Sequence, residues 1–402
     1  MKKMFLLITV IVSFLLTGCW SNREMTDLGI VMGLAIDKAE EGEGYELTVE
    51  AMVPGTLNPN LTSQSTPAIL FSETSENICV GFRKLSQTMP RAPHLAHVSD
   101  VLIQEDVAKE GISSILGCLI RDNEFRYTTR LFVVKEQKAK DLLGIMTILE
   151  TVAANKVFKI TKLSSEIYSI VKDVTVTEFI HGMIADGKEA ILPGFSILTT
   201  EDAKPEDGKK IDNIQTTDPK IFMKVIPYAV FKDDKLIGWL DEYHAKGVNL
   251  LLNNVKSTMI ATNCDEQGSM VIEVLKQGTK FKTTFNNGKP KISADLKIRA
   301  RLCQLDCKME IMEKKVHKQI EKKFEETIKQ QLEASVQHLK TELQADIIGF
   351  GEMIRRKDPL YWKSVKDHWD QAFQSLEIDF NVEVQITDFG ATVEPLINEL
   401  QK

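Results

Sequence analysis

The sequence predicts an α+β protein of more than one domain: a mixed α/β N-terminal region, then a C-terminal antiparallel sheet packed by a long helix. Three observations carry this. Strand-like and helix-like segments alternate from Leu28 to Leu198. From Ile292 to Leu302 apolar and polar residues alternate without a break, so one face of a strand is buried and the other is wet. From Met312 to Val336 an apolar residue recurs at every fourth position, the pattern of a helix with one buried stripe. With 402 residues, 43% hydrophobic and 27% charged, the chain has ordinary globular composition and length for two or three such units.

The chain opens on a leader. Met1-Lys2-Lys3 is a basic start, and Met4 to Leu16 is apolar except for Thr9 and Ser13. Leu16-Thr17-Gly18-Cys19 closes the run. A basic start, an apolar core of this length and small residues at the cut read as a secretory signal, too short for the ~20 residues a membrane span needs. Leu, a small polar residue, Gly and Cys make a lipobox. The expectation is a signal peptide over 1–18, cleavage before Cys19, and S-diacylglycerol and N-acyl groups on Cys19, the one site residue assigned. Stable attachment takes more than one acyl chain, which this modification supplies. Residues 19–27 form a tether of nine steps to Leu28, about 30 Å at full extension. The body is then held near the headgroups, where membrane partners meet it at high effective concentration.

In the N-terminal region, 28–198, Leu28 to Ile36 reads as a buried strand and Tyr45 to Ala51 as an alternating one, joined by the turn at 40–44. Asn58 to Pro67 reads as a loop. Ser72 to Thr88 has a helical pattern, with Ile78, Phe82 and Leu85 on one face. Val98 to Ile103 is a strand, Glu105 to Arg121 reads as helices broken at Gly111, and Leu131 to Val134 is a strand followed by a helix from Gln137. Thr199 to Pro219 is polar and holds almost nothing to bury, so it reads as a linker between domains or a long surface loop within one.

The C-terminal α+β domain is expected over 220–395, with a tail at 396–402. Val225 to Phe231 and Leu236 to Leu240 read as a hairpin, although Lys232-Asp-Asp-Lys235 lacks the favoured Gly. Met270 to Leu275, Lys280 to Phe285 and Ile292 to Leu302 read as successive strands, the last two joined at Asn286-Asn-Gly-Lys289. In the helix that follows, strict fours overshoot the 3.6-residue turn, so the stripe drifts, as on a helix wrapping a sheet; a coiled-coil arm would alternate threes and fours. The helix breaks at Ile347-Ile-Gly-Phe-Gly351, a shorter one runs through Trp362 and Trp369, and Leu376 to Ile386 alternates as a returning strand.

The search for chemistry returns little. Net charge is −7, and two units more negative without Lys2 and Lys3. An acidic body argues against nucleic acid and against adhesion to anionic headgroups by charge. Phosphate loops, His-Glu-x-x-His and Gly-x-Ser-x-Gly elbows do not occur, so no catalytic, cofactor-binding or metal residues are assigned and no cofactor is implied. Asp233-Asp234 and Asp241-Glu242 read as turn and helix-start residues. His94 and His97 read as a strand edge with one hydrogen-bonded histidine, or as part of a metal site whose other ligands are not local. With Cys19 lipidated, Cys79, Cys118, Cys264, Cys303 and Cys307 remain, an odd number that does not read as a disulfide framework. Cys303-x-x-x-Cys307 is either a metal or redox pair or structural.

Several segments, in order, resemble the Ger(x)C family of spore germination lipoproteins. These are Cys19-Trp20-Ser-Asn-Arg23-Glu24 with Leu28 to Asp37, then Phe82-Arg-Lys-Leu85, His97 to Ile103 and Ala108-Lys-Glu-Gly-Ile112. They continue with Lys235-Leu-Ile-Gly-Trp-Leu240, Asp346-Ile-Ile-Gly-Phe-Gly351, Trp362 and Trp369. Ser21-Asn22 departs from the charged residues that relatives often carry. The resemblance implies the C subunit of a nutrient germinant receptor, a non-enzymatic protein lipid-anchored on the extracytoplasmic face of the spore inner membrane. It also implies assembly with two integral membrane subunits, one channel-like and one transporter-like, the nutrient site lying in the latter. The alternative is an extracytoplasmic solute-binding lipoprotein of a transporter. An extracytoplasmic enzyme would need an acid/base cluster, and none is visible. The Gly349-Phe-Gly351 break and the two tryptophans read as an aromatic-packed corner or as a partner-binding surface.

Overall fold

The structure, a computed structural model, describes residues 2, 4 and 24–390, except 41, 43, 54–65, 148, 201–202, 265–267, 308 and 310–312. The rest of the expected leader, Cys19, most of the 58–67 loop and the tail lie outside the described residues.

Nine strands make the first sheet: β1 (Leu28–Lys38), β2 (Tyr45–Met52), β3 (Ala68–Ser75), β4 (Ala92–His94), β5 (Asp100–Gln104), β6 (Arg130–Val134), β7 (Ile191–Thr199), β8 (Ile221–Lys232) and β9 (Lys235–Trp239). Their order is β3-β2-β1-β5-β6-β7-β8-β9, with β4 beside the start of β1. β1, β5, β6 and β7 run parallel. Parallel strands need crossovers. Helices α1 (Ile78–Lys84), α2 (Glu105–Glu110), α3 (Ser113–Leu119), α4 (Ala139–Leu143), α5 (Ala153–Ile167) and α6 (Val176–Met183) lie along these connections. That explains the unbroken apolar runs at 101–103 and 131–134: residues on both faces are buried.

Helix α7 (Glu242–Leu251) leads to the second sheet, β10 (Thr258–Asn263), β11 (Ser269–Asn286), β12 (Lys289–Leu305) and β13 (Glu377–Asp388), in that order. Asn287 and Gly288, at φ 50° and 77°, form the two-residue turn of the β11–β12 hairpin. Alternation in β12 holds as expected: Ile292, Ala294, Leu296, Ile298, Ala300 and Leu302 are buried. Helix α8 (Lys314–His338) lays Ile320, Phe324, Ile328, Leu332 and Val336 into the core, and a wide π turn at Leu339–Leu343 absorbs the drift of its stripe. Helices α9 (Phe350–Lys357), α10 (Pro359–Val365) and α11 (Trp369–Gln374) then lead to β13. One core fills one face of the first sheet. A second core runs without interruption from its other face, at Phe132, Phe195 and Tyr228, to Ile272, Ile292 and Phe350 of the C-terminal half.

Several details differ from expectation. Residues 72–75 belong to β3, because 68–75 pairs along its whole length with β2 before the helix starts at Ile78. The two strands expected at 270–275 and 280–285 are one, β11, whose irregular pairing near Val274 and Lys276 accommodates the polar stretch between them. Segment 199–219 joins β7 to β8, which pair antiparallel in one sheet, and the β8–β9 hairpin lies in that sheet too. The two sheets are joined through α7, and 199–219 is a connection within the first sheet, the second of the two readings of that segment. The second sheet is antiparallel through β12, while β13 joins β12 in parallel, because the helical passage returns the chain to the end where β12 began.

Candidate functional site

The sequence assigned only Cys19, which lies outside the described residues, so the structure locates where the chain leading from it joins the body. Leu28, Gly29 and Ile30 of β1 pair with Ala92, Pro93 and His94 of β4. β5 and β6 begin at the same edge, and there Asp100 is fully buried. It accepts from Ser99 Oγ at 2.7 Å and from Arg130 Nε at 2.9 Å. Burial nevertheless wins over the guanidinium and pushes Asp100 up to about 6. Arg130 also lies over the Phe158 ring, 3.9 Å from its centroid. Arg130 Nε stands 3.8 Å from Asp173 Oδ1 as well, so it bridges two carboxylates at this edge.

His94 is hydrogen-bonded through Nδ1 to Glu124 Oε2 at 2.8 Å, and the same oxygen accepts from Leu95 N at 3.3 Å. His97 stands edge-on at 5.8 Å. Among the described residues no group of three His, Cys, Asp or Glu is placed to hold a metal ion. The histidines are the strand edge of the structural reading.

The cysteines correct the sequence. Cys79 pairs with Cys118 and Cys264 with Cys307, at Cα separations of 5.8 and 6.1 Å, within disulfide range. The first bond staples α1 to α3; the second closes the 264–307 end of the β11–β12 hairpin. Cys303, free and exposed, is not the partner of Cys307. Neither partner is near in sequence, so spacing could not find them.

The break after α8 is built around Asp346. Its buried carboxylate accepts from Gly349 N and Gly351 N, each at 2.8 Å, and burial pushes it up to about 6. Gly349 holds φ 91°. The corner docks on the loop before β7: Glu189 N donates to Asp346 O at 2.9 Å and Glu352 N to Gly187 O at 3.0 Å. A Cβ on Gly187 would stand 2.6 Å from the Gly351 carbonyl carbon and 2.7 Å from the Trp362 ring. Trp362 and Trp369 are 5% and 9% exposed, with ring centroids 5.3 Å apart. Of the two readings the structure selects the aromatic-packed corner. In the Lys235–Leu240 motif Leu236 and Leu240 are buried, while half-buried Trp239 covers Gly194 and donates from Nε1 to Glu105 Oε1 at 3.0 Å.

Sequence reasoning missed two further carboxylates. Asp37, which it took as the end of a strand, accepts from Ala139 N and Lys140 N at 2.6 and 2.9 Å and caps α4. Glu50, taken as outward, is buried and accepts from Ala153 N and Ala154 N at 2.7 and 3.0 Å, capping α5. Burial pushes them up to about 6 and about 7. Asp37 stands at the end of an apolar run, which was an available signal, but Glu50 shares an alternating strand with Glu46 and Thr48 and carried none. Each of these buried carboxylates is committed to backbone amides, so it fastens elements and offers no free base.

Two family models match most of the chain. The spore germination protein N-terminal domain matches residues 21–197, and the spore germination B3/GerAC-like C-terminal domain matches 227–390. The chain is similar to spore germination protein KC of Bacillus subtilis (strain 168), 28% identical over 409 residues covering all of this chain and 99% of that protein. It is also similar to spore germination protein A3 of the same organism, 25% identical, covering 96% of this chain and 98% of that protein. The crystal structure of the GerBC protein shares the fold at TM-score 0.53 and 19% identity, covering 88% of this chain and 97% of that one.

Proposed function

This chain belongs to the Ger(x)C family of spore germination proteins, and on that premise we propose that it is the lipid-anchored, non-enzymatic C subunit of a nutrient germinant receptor. The proposal places it on the extracytoplasmic face of the spore inner membrane, attached through acyl groups on Cys19. Its partners there are two integral membrane subunits, one channel-like and one transporter-like.

The observation that carries this reading is the match of both domain models, over 21–197 and 227–390, together with near-full-length similarity to relatives named for spore germination. The lipobox at Leu16–Cys19 supports the anchor. Among the described residues no helix is long and apolar enough to cross a membrane. None of the relatives is named for an enzymatic activity. The test is Cys19→Ala in the native chain. The expected outcome is an uncleaved precursor, loss of acyl groups by mass spectrometry and an impaired response to nutrient. Normal recovery from membranes together with normal germination would defeat the reading.

A further inference from the structure

The chain is acidic, yet its arginines are segregated. Arg83, Arg91, Arg121, Arg126 and Arg130 fall between β3 and the start of β6, and no arginine occurs from 131 to 298. Arg83 sits one turn after Cys79 on α1, and Arg121 follows Cys118 just past α3, so the Cys79–Cys118 bond holds the two guanidinium-bearing helix ends together. Both arginines are exposed and line one hollow of about 530 Å³. Phe82, Pro93 and Leu95 give it apolar walls. Arg121 Nη1 donates to Gly117 O at 2.5 Å. Among the described residues neither guanidinium is within ion-pair distance of a carboxylate. Two acids also line the hollow, and both have partners of their own. Asp122 Oδ1 accepts from Glu124 N at 2.8 Å, and Glu124 faces His94 and Leu95 N.

The position of the hollow decides its partner. Ala92 and Pro93, on its wall, pair with Leu28 and Gly29, the residues at which the tether from Cys19 ends. The anchored reading above is the premise here: with about 30 Å of chain at most between lipid and β1, this edge lies within a tether's length of the bilayer. A planar guanidinium pair over apolar walls suits a phosphate that carries acyl chains behind it. We propose that the hollow seats the phosphate of an anionic phospholipid headgroup, so that the body stands on the membrane with the β1–β4 edge down. A few arginines do not recruit a protein by themselves; on a tethered body they set its orientation.

The test is hydrogen exchange on the lipidated chain in phosphatidylcholine vesicles, with and without phosphatidylglycerol. The expected result is roughly three-fold or greater slowing of backbone exchange at 82–86 and 119–124 on the anionic vesicles only. High salt removes it. Arg83→Gln with Arg121→Gln abolishes it, whereas Arg299→Gln with Arg301→Gln leaves it unchanged. Equal exchange on both vesicles, in a chain that floats with them, overturns this inference and leaves the anchor standing. Slowing by inorganic phosphate on neutral vesicles overturns it in favour of a free-anion site. A chain that fails to float removes the anchor and this inference with it.

Discussion

Glu50 and Glu189 are pushed up to about 7, and Asp37, Asp100 and Asp346 to about 6, in each case chiefly by burial. A carboxyl whose folded pKa is raised keeps a proton that the unfolded chain has already released. Its contribution is present below the unfolded pKa, near 4, and is lost as pH rises through 6 to 7. His338, held below its ordinary value by burial, works in the opposite direction but is a single group. Stability to urea is therefore expected to fall between pH 5 and pH 8, and Glu50→Gln should flatten the slope. A rise over that interval would contradict the assignment. At the corner, Asp346→Ala leaves two buried amides without an acceptor and should cost about 3 kcal/mol. Gly187→Ala places a methyl group against Gly351 at φ 79° and should cost about 2 kcal/mol or more by the same measurement.

Among the elements, the edge strand β13 has an unusual cover. Val384 N and Ile386 N, on its open side, donate to Glu325 and Glu321 of α8 at 3.0 and 2.8 Å. Side chains of a packed helix thus occupy amides that would otherwise template another strand. Glu321→Ala with Glu325→Ala should lower stability by about 1–2 kcal/mol and raise aggregation in light scattering. Replacing Cys79 and Cys118 by Ser should cost about 2–4 kcal/mol. Strands with clean alternation, such as β12, and the α8 stripe were legible because burial of one face writes its period into the sequence. What was not legible had long-range causes. β3 borrowed its identity from pairing with β2. The 199–219 segment gave no sign that its flanking strands lie side by side. The disulfide partners are 39 and 43 residues apart. At the site, the expectation for Cys19 rests on its sequence neighbours alone, whereas the carboxylate caps on α4 and α5 could not be read that way, since each donor lies about 100 residues from its acceptor.

Across the whole molecule, the two sheets share one core, from Phe132 and Phe195 through Tyr228 to Ile292 and Phe350. The Asp346 corner clamps the C-terminal helices to the loop before β7, and Lys232 meets Asp370 across the same seam. Halves joined by a continuous apolar core unfold together, so calorimetry should show one cooperative transition; two well-separated transitions would contradict a shared core. Of the residues carrying the family resemblance in the C-terminal half, Asp346, Phe350, Trp362 and Trp369 are buried and hold the body together. The most direct measurement of the proposed role is crosslinking in spore membranes followed by purification through this chain. The account expects two multi-spanning proteins, one channel-like and one transporter-like, to come with it in constant ratio. Recovery of the lipidated chain alone, from membranes that contain both, would contradict it.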